Sequence, residues 1–153
     1  MCRRIYANMT KEETYKQLLP QIKALTTGES DLIANMANIT AVLHEAFSFW
    51  WTGFYRVAGD ELVLGPFQGT VACTRIPYGR GVCGTAWQRG ETVIVPNVHE
   101  FIGHIACSSV SKSEIVVPMF RNGQIIAVLD IDSKDYNTFD CIDRDYLEQI
   151  VNL

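Results

Sequence analysis

The sequence predicts an α+β fold in which a central, mainly antiparallel sheet is covered by N- and C-terminal helices. Three observations carry this reading. Helical hydrophobic spacing is confined to the two ends, short β-rich runs fill the middle, and Gly, Asn and Asp turns close neighbouring runs into hairpins.

Thr10-Lys11-Glu12-Glu13 forms a capping box, with Thr10 at the N-cap and Glu13 three residues on, and opens a helix toward Leu18, Leu19 and Pro20. After the breaker Thr27-Gly28-Glu29, the residues Leu32, Ile33, Met36, Ile39, Val42, Leu43 and Phe47 recur at helical spacing behind the caps Ser30 and Asp31. From Phe49 the texture changes to strand-like runs over 49–57, 61–64, 92–95, 115–120 and 125–133, rich in β-branched and aromatic residues. Ala58-Gly59-Asp60 and Asn122-Gly123 mark hairpins. Residues 79–90 read as a turn entering a short helix. Asp140 caps a last helix whose apolar stripe is Ile142, Tyr146, Leu147, Ile150 and Val151, and that pattern is still running where the chain stops. No repeat, linker or low-complexity tract interrupts the chain, so residues 1–153 are expected to form a single domain.

Composition narrows the partners. The chain has 48% hydrophobic and 20% charged residues, enough to bury a core, and a formal charge of −4 with no basic stripe to neutralise phosphates. Nucleic acid is therefore not an expected partner. Neither a secretory leader nor a membrane span is visible, so a cytoplasmic protein is expected. Five cysteines, Cys2, Cys73, Cys83, Cys107 and Cys141, form an odd and widely spaced set, which suits reduced thiols better than a structural disulfide framework.

Candidate chemistry begins in the last predicted strand. A period of two puts Asp130 and Asp132 on one face, with Leu129 and Ile131 on the other. Two acids on an apolar strand need water, a cation or a ligand; a strand ending at the surface meets the same need. The hairpin before them decides whether Glu114 joins. A three-residue loop, Arg121-Asn122-Gly123, pairs Phe120 with Gln124 and sets Glu114 opposite Asp130, whereas a two-residue Asn-Gly loop pairs Arg121 with Gln124 and turns Glu114 away. The three-residue register is preferred here, although a bulge at Pro118 would upset either count.

Cys107 follows Gly103-His104-Ile105-Ala106 in a loop-like stretch where a reactive thiol can work, and Cys73 and Cys83 bracket a Gly- and Pro-containing segment read as a second loop. Cys141 stands at a helix start and Cys2 at the chain end. Any single cysteine also fits a small buried hydrophobe. His99, His104 and Cys107 offer only a weak zinc signature, and no metal is expected. Trp50 and Phe54 read as core, while Trp51 and Tyr55 share a strand face and can wall a pocket.

Several stretches together resemble a known family: 51–55 (WTGFY), 64–69 (LGPFQG), Ala72-Cys73, 79–86 (GRGVCGTA), 103–107 (GHIAC), 113–118 (SEIVVP) and 128–132 (VLDID). In order over nearly the whole chain, they are similar to the free methionine-(R)-sulfoxide reductases, a GAF-domain family. The resemblance implies Cys107 as the attacking cysteine, Cys73 as its resolving partner and Cys83 as an accessory cysteine. It implies Trp51 and Tyr55 as pocket aromatics and Glu114, Asp130 and Asp132 as pocket acids that serve both catalysis and substrate binding. It further implies free methionine-(R)-sulfoxide as substrate, no bound cofactor, and reducing equivalents from thioredoxin. A homodimer stays compatible with the sequence. One departure is Ser108, where the family usually has Asp after the attacking cysteine. A ligand-sensing GAF module and a metal-bound hydrolase are the competing readings.

Overall fold

The computed structural model describes residue 6 and residues 8–153. Cys2 lies outside the described residues. Helix α1 (Lys11–Thr26) starts on the expected capping box, with Glu13 N–H donating to Thr10 Oγ1 and Thr10 N–H donating to Glu13 Oε2. It continues through Pro20, which costs one backbone hydrogen bond but no longer marks the end, because Tyr15, Leu18 and Ile22 bury one continuous stripe. Helix α2 (Leu32–Phe47) is capped by Asp31 and buries Met36, Ile39 and Leu43; Ile33, expected in the stripe, is exposed.

Six strands follow: β1 (Trp51–Ala58), β2 (Glu61–Gln68), β3 (Arg75–Pro77), β4 (Val93–Val95), β5 (Ser113–Arg121) and β6 (Gln124–Ser133), in sheet order β3-β2-β1-β6-β5-β4. Every pairing is antiparallel. Helix α3 (Gly81–Arg89) lies between β3 and β4, and α4 (Cys141–Val151) ends the fold behind its Asp140 cap.

The sheet has two unlike faces. On one, α1, α2 and α4 pack against Phe54, Ile115, Val117, Leu129 and Ile131 to form the larger core. On the other, Trp51, Tyr55, Val116 and Val128 meet α3 and two loops. Strand periodicity sorts the residues, and so delivers Asp130 and Asp132 to the second face.

The β5–β6 hairpin departs from the preferred register. Asn122 and Gly123 form the two-residue loop, both with positive φ (53° and 75°), and Arg121 pairs with Gln124. That alone would turn Glu114 away. A bulge between Met119 and Phe120 then adds one residue on β6, so Met119 faces Ala127 and Glu114 faces Asp132, not Asp130. Glu114 therefore returns to the acid face by two offsetting steps.

Three further expectations need correction. The segment between Cys73 and Cys83 is not all loop: it contains β3, and Cys83 is buried inside α3. The first strand begins at Trp51 and not Phe49, leaving Trp50 before it, and Trp50 packs on the α3 side of the sheet, whereas Phe54 is in the larger core as expected.

Candidate active site

The cleft lies on the α3 face, floored by β1, β5 and β6 and covered by the loops around Cys73 and Cys107. Trp51 and Tyr55 form one wall. Their rings stack with centroids 6.0 Å apart, and Trp51 stacks on Phe67 at 5.3 Å. Trp51 Nε1–H donates to Thr70 O at 3.0 Å, fixing the indole against the loop. Space for that indole comes from glycine: a Cβ on Gly53 would overlap Trp51 and Phe67, and one on Gly69, whose φ is +135°, would come within 2.6 Å of Trp51 Cδ1. Tyr55 Oη–H donates to Cys73 O at 2.9 Å, so the aromatic wall also anchors the Cys73 segment.

Cys73 and Cys107 are joined in a disulfide with their Cα atoms 5.8 Å apart. Cys73 is half-buried and Cys107 exposed, so the bond sits where the cleft meets solvent. Among the described residues the free cysteines are Cys83, buried, and Cys141, exposed at the first position of α4 as expected.

The floor carries the acids. Glu114 and Asp130 are each only 6% exposed. One oxygen of each, together with Cys83 Sγ, lies within a 4.8 Å group. Among the described residues, no lysine or arginine lines the cleft. Burial pushes Glu114 well above the ordinary carboxylate range, with the charge of Asp132 adding to the rise. Burial also lifts Asp130, reinforced by the charge and hydrogen bond of Glu114, and lifts Asp132, reinforced by Asp130 and opposed by a hydrogen bond from Ser111. Cys83 is raised first by burial and then by the same carboxylates, which keeps it a thiol. Burial and mutual repulsion therefore favour the protonated forms across the floor, with Asp130 and Glu114 close enough to be coupled. Among the described residues, Asp130 Oδ1 has no hydrogen-bond partner.

The Cys83, Glu114 and Asp130 group could close on a small cation only by releasing the protons that burial keeps there. The zinc set weighed from sequence is not gathered: Cys107 is bonded to Cys73, and His99 stands on a 3-10 turn with its ring against Tyr136.

Three lining residues were not placed in the cleft by the sequence. Trp50 precedes β1, where strand parity no longer applies, and its buried Nε1–H has no partner among the described residues. Ser111 lines the cleft, tempers the rise of Asp132 and carried no motif. His104, weighed only as a metal ligand or hydrolytic partner, points Nε2 at Glu114 Oε2 from 3.7 Å. Ser108 also lines the cleft, and its Oγ accepts from Val110 N–H at 3.2 Å, bracing the loop that carries Cys107.

A GAF domain model matches residues 26–153. The chain is 49% identical over 144 residues to the free methionine-R-sulfoxide reductase of Escherichia coli, covering 94% of this chain and 87% of that one. It belongs to the free methionine-R-sulfoxide reductase family of GAF-domain proteins. Within this family, the crystal structure of the Neisseria meningitidis reductase in complex with its substrate superposes with a TM-score of 0.92 at 52% identity, covering 95% of this chain and 89% of that one. GAF domain-containing protein A of Dictyostelium discoideum is 62% identical over 145 residues, covering 94% of this chain and 92% of that protein. The family resemblance read from the sequence thus holds over the whole cleft-bearing region.

Proposed function

We propose that the chain reduces free methionine-(R)-sulfoxide to methionine, with Cys107 as nucleophile and Cys73 as resolving cysteine. The observation that carries this reading is the Cys73–Cys107 bond at the mouth of a cleft floored by proton-bearing carboxylates. Family membership and the substrate-bound relative support it.

In the first step the Cys107 thiolate attacks the sulfoxide sulfur while a carboxylic acid of the floor protonates the oxygen. The hydroxyl then passes from the substrate sulfur to the Cys107 sulfur as the bond between the two sulfurs breaks, so methionine leaves and Cys107 is left as a sulfenic acid. Cys73 thiol then displaces that oxygen as water, forming the disulfide seen here. Thioredoxin supplies the two thiols that reopen it, and a reducing cytoplasm keeps that supply charged. No bound cofactor enters the cycle.

Each floor residue has a part. The Glu114–Asp130 pair holds the transferable proton, and Cys83 is the accessory cysteine packed beside that pair. Asp132, beside Trp51 and opposite Glu114, takes the substrate ammonium. Trp51 and Tyr55 cover the methyl group, and the sulfur becomes more positive as its oxygen is protonated.

The deciding experiment is single-turnover release of methionine from reduced protein. Cys73→Ser completes one turnover and accumulates sulfenic acid, whereas Cys107→Ser completes none. Equal yields from Cys107→Ser and the native chain remove Cys107 from the role, and ligand binding without turnover by the native chain restores the sensor reading.

A further inference from the structure

We infer that His104 is the proton relay that recharges the buried Glu114–Asp130 pair after each turnover, acting through Glu114 and not on the sulfoxide. This rests on the reductase reading above.

The chemistry creates the requirement. Each sulfoxide reduction removes one proton from the pair and leaves a carboxylate in a cleft without a lysine or arginine among the described residues. Re-reduction returns Cys107 as a thiol, which gives up one proton at the cleft mouth on becoming the thiolate, and a proton must reach the buried pair before the next substrate oxygen can be protonated. Glu114 and Asp130 are nearly inaccessible themselves, so some group must bridge the distance.

His104 has the placement. Its Nε2 stands 3.7 Å from Glu114 Oε2, and its side chain is 16% exposed against 8% for that of Glu114. It therefore touches the pair on one side and the cleft mouth on the other. The separation is longer than a hydrogen bond, but the loop here is held in its disulfide-bonded form, and contacts between catalytic groups commonly tighten when a site is occupied. His104 also lies three residues before Cys107 on the same loop, so the relay and the nucleophile move together.

The other members of the cleft leave the task to His104. Cys83 faces the pair from α3, but it is fully enclosed and raised by burial. Asp132 faces Glu114 from β6 and competes for the same proton. Tyr55, on β1, is raised by burial and already donates to Cys73 O. His104 itself is lowered by burial, so it rests neutral and releases a proton readily to a carboxylate. The step balances: solvent protonates Nδ1, Nε2–H passes to Glu114, and the neutral ring is restored as its other tautomer.

The test compares His104→Gln with the native chain, using reductant at concentrations where native kcat no longer rises. Gln keeps a polar group beside Glu114 but cannot carry a proton. The relay requires that the first turnover, which uses the proton already stored, keeps its native rate, while kcat falls by about 10-fold or more and added imidazole restores part of the loss. An unchanged kcat at every pH overturns the relay. Equal losses in first turnover and kcat, unaffected by imidazole, also overturn it and make His104 a structural brace of the loop. A native chain that releases no methionine would instead overturn the reductase reading beneath it.

Discussion

The molecule buries carboxylates on both faces of its sheet and treats them oppositely. On the helical face, Asp143 is 1% exposed and fully served: Tyr15 Oη–H donates at 2.8 Å, Lys11 Nζ at 2.5 Å, and Asp140 N–H at 2.9 Å. On the α3 face, Glu114, Asp130 and Asp132 crowd together with no lysine or arginine, and Asp130 Oδ1 has no partner at all among the described residues. Charge that serves architecture is neutralised on the spot by the chain itself. Charge without a partner is held for something that comes and goes, and in the proposed reaction the cation is the substrate ammonium and the mobile species a proton.

The strongest way to break this contrast is to remove the visiting cation. N-acetylation and C-amidation of the sulfoxide replace the ammonium with a neutral amide, leaving a desolvated carboxylate unpaired on binding. Sites built around a polar group reject analogues lacking it by roughly 10⁴-fold. The ratio of kcat/KM for the free R epimer over its blocked form is expected to reach that order. Comparable values for the two would mean that the acids do not read the ammonium.

Next in size is the loss of the structural carboxylate. Asp143→Ala strands the Tyr15 hydroxyl, leaves Lys11 with only Asp140 and Thr138 O, and removes half of the α4 capping box. Because Lys11 keeps 28% side-chain exposure, water recovers part of the loss, and the expected cost is about 2 to 3 kcal/mol. Urea denaturation reads it directly. First-turnover activity per folded molecule stays native, and a fall in that activity would tie the two faces together.

Much of this contrast was legible in the sequence, for reasons that show where legibility ends. The period of two is local, so the shared face of Asp130 and Asp132, and of Trp51 and Tyr55, follows from the strand alone. The capping box at Thr10 and the cap at Asp140 act on adjacent backbone, although the second half of the Asp140 box, Asp143, was not read. Glu114 was placed on the right face by the wrong register: neither the Asn-Gly loop nor the bulge before Phe120 was assigned, and their combination kept the parity while changing the partner from Asp130 to Asp132. Strand β3 was missed because three residues ending in Pro77 at a sheet edge give no alternation to read. The short helix within 79–90 was expected, but Cys83 was read as the end of the preceding loop because Gly81 and Gly84 blur where that helix starts; Gly84 is there because a Cβ would come within 2.6 Å of Pro77 O. The Tyr15–Asp143 and His104–Glu114 contacts join separate segments, and no local spacing encodes them.

A smaller effect, opposite in sign to that at Asp143, is expected at Asp130. Asp130→Asn removes a carboxyl with one unpartnered oxygen from a dry site while keeping its shape, so stability rises by about 1 kcal/mol. Turnover falls by about 10² or more, since the shared proton loses its holder. A variant that is both less stable and fully active would reverse the assignment of the two faces.

The smallest effect is in the pH dependence of stability, where the two faces pull in opposite directions. Glu114, Asp130 and Asp132 are raised, so between the ordinary carboxylate range and their folded values the native state binds more protons than the unfolded chain. Stability from these groups is fully present below that ordinary range and is lost as pH rises through the folded values. Asp140 is lowered: burial pushes it up, but the Lys11 ammonium and the Ile142 N–H outweigh that, so its contribution is present above the ordinary value and lost as pH falls through the folded one. Maximum stability is therefore expected in mild acid, between the two windows, with a decline toward neutral and alkaline pH set by the cleft. Replacing Asp130 with Asn deletes one of the raised groups and relieves Glu114, so the decline flattens. At the alkaline end the difference between variant and native is expected to be about 2 to 4 °C of Tm for each kcal/mol recovered. Parallel Tm profiles for the two proteins from acid to alkaline pH would mean that the cleft acids are not held protonated, and would remove the stored proton on which the first step of the reaction draws.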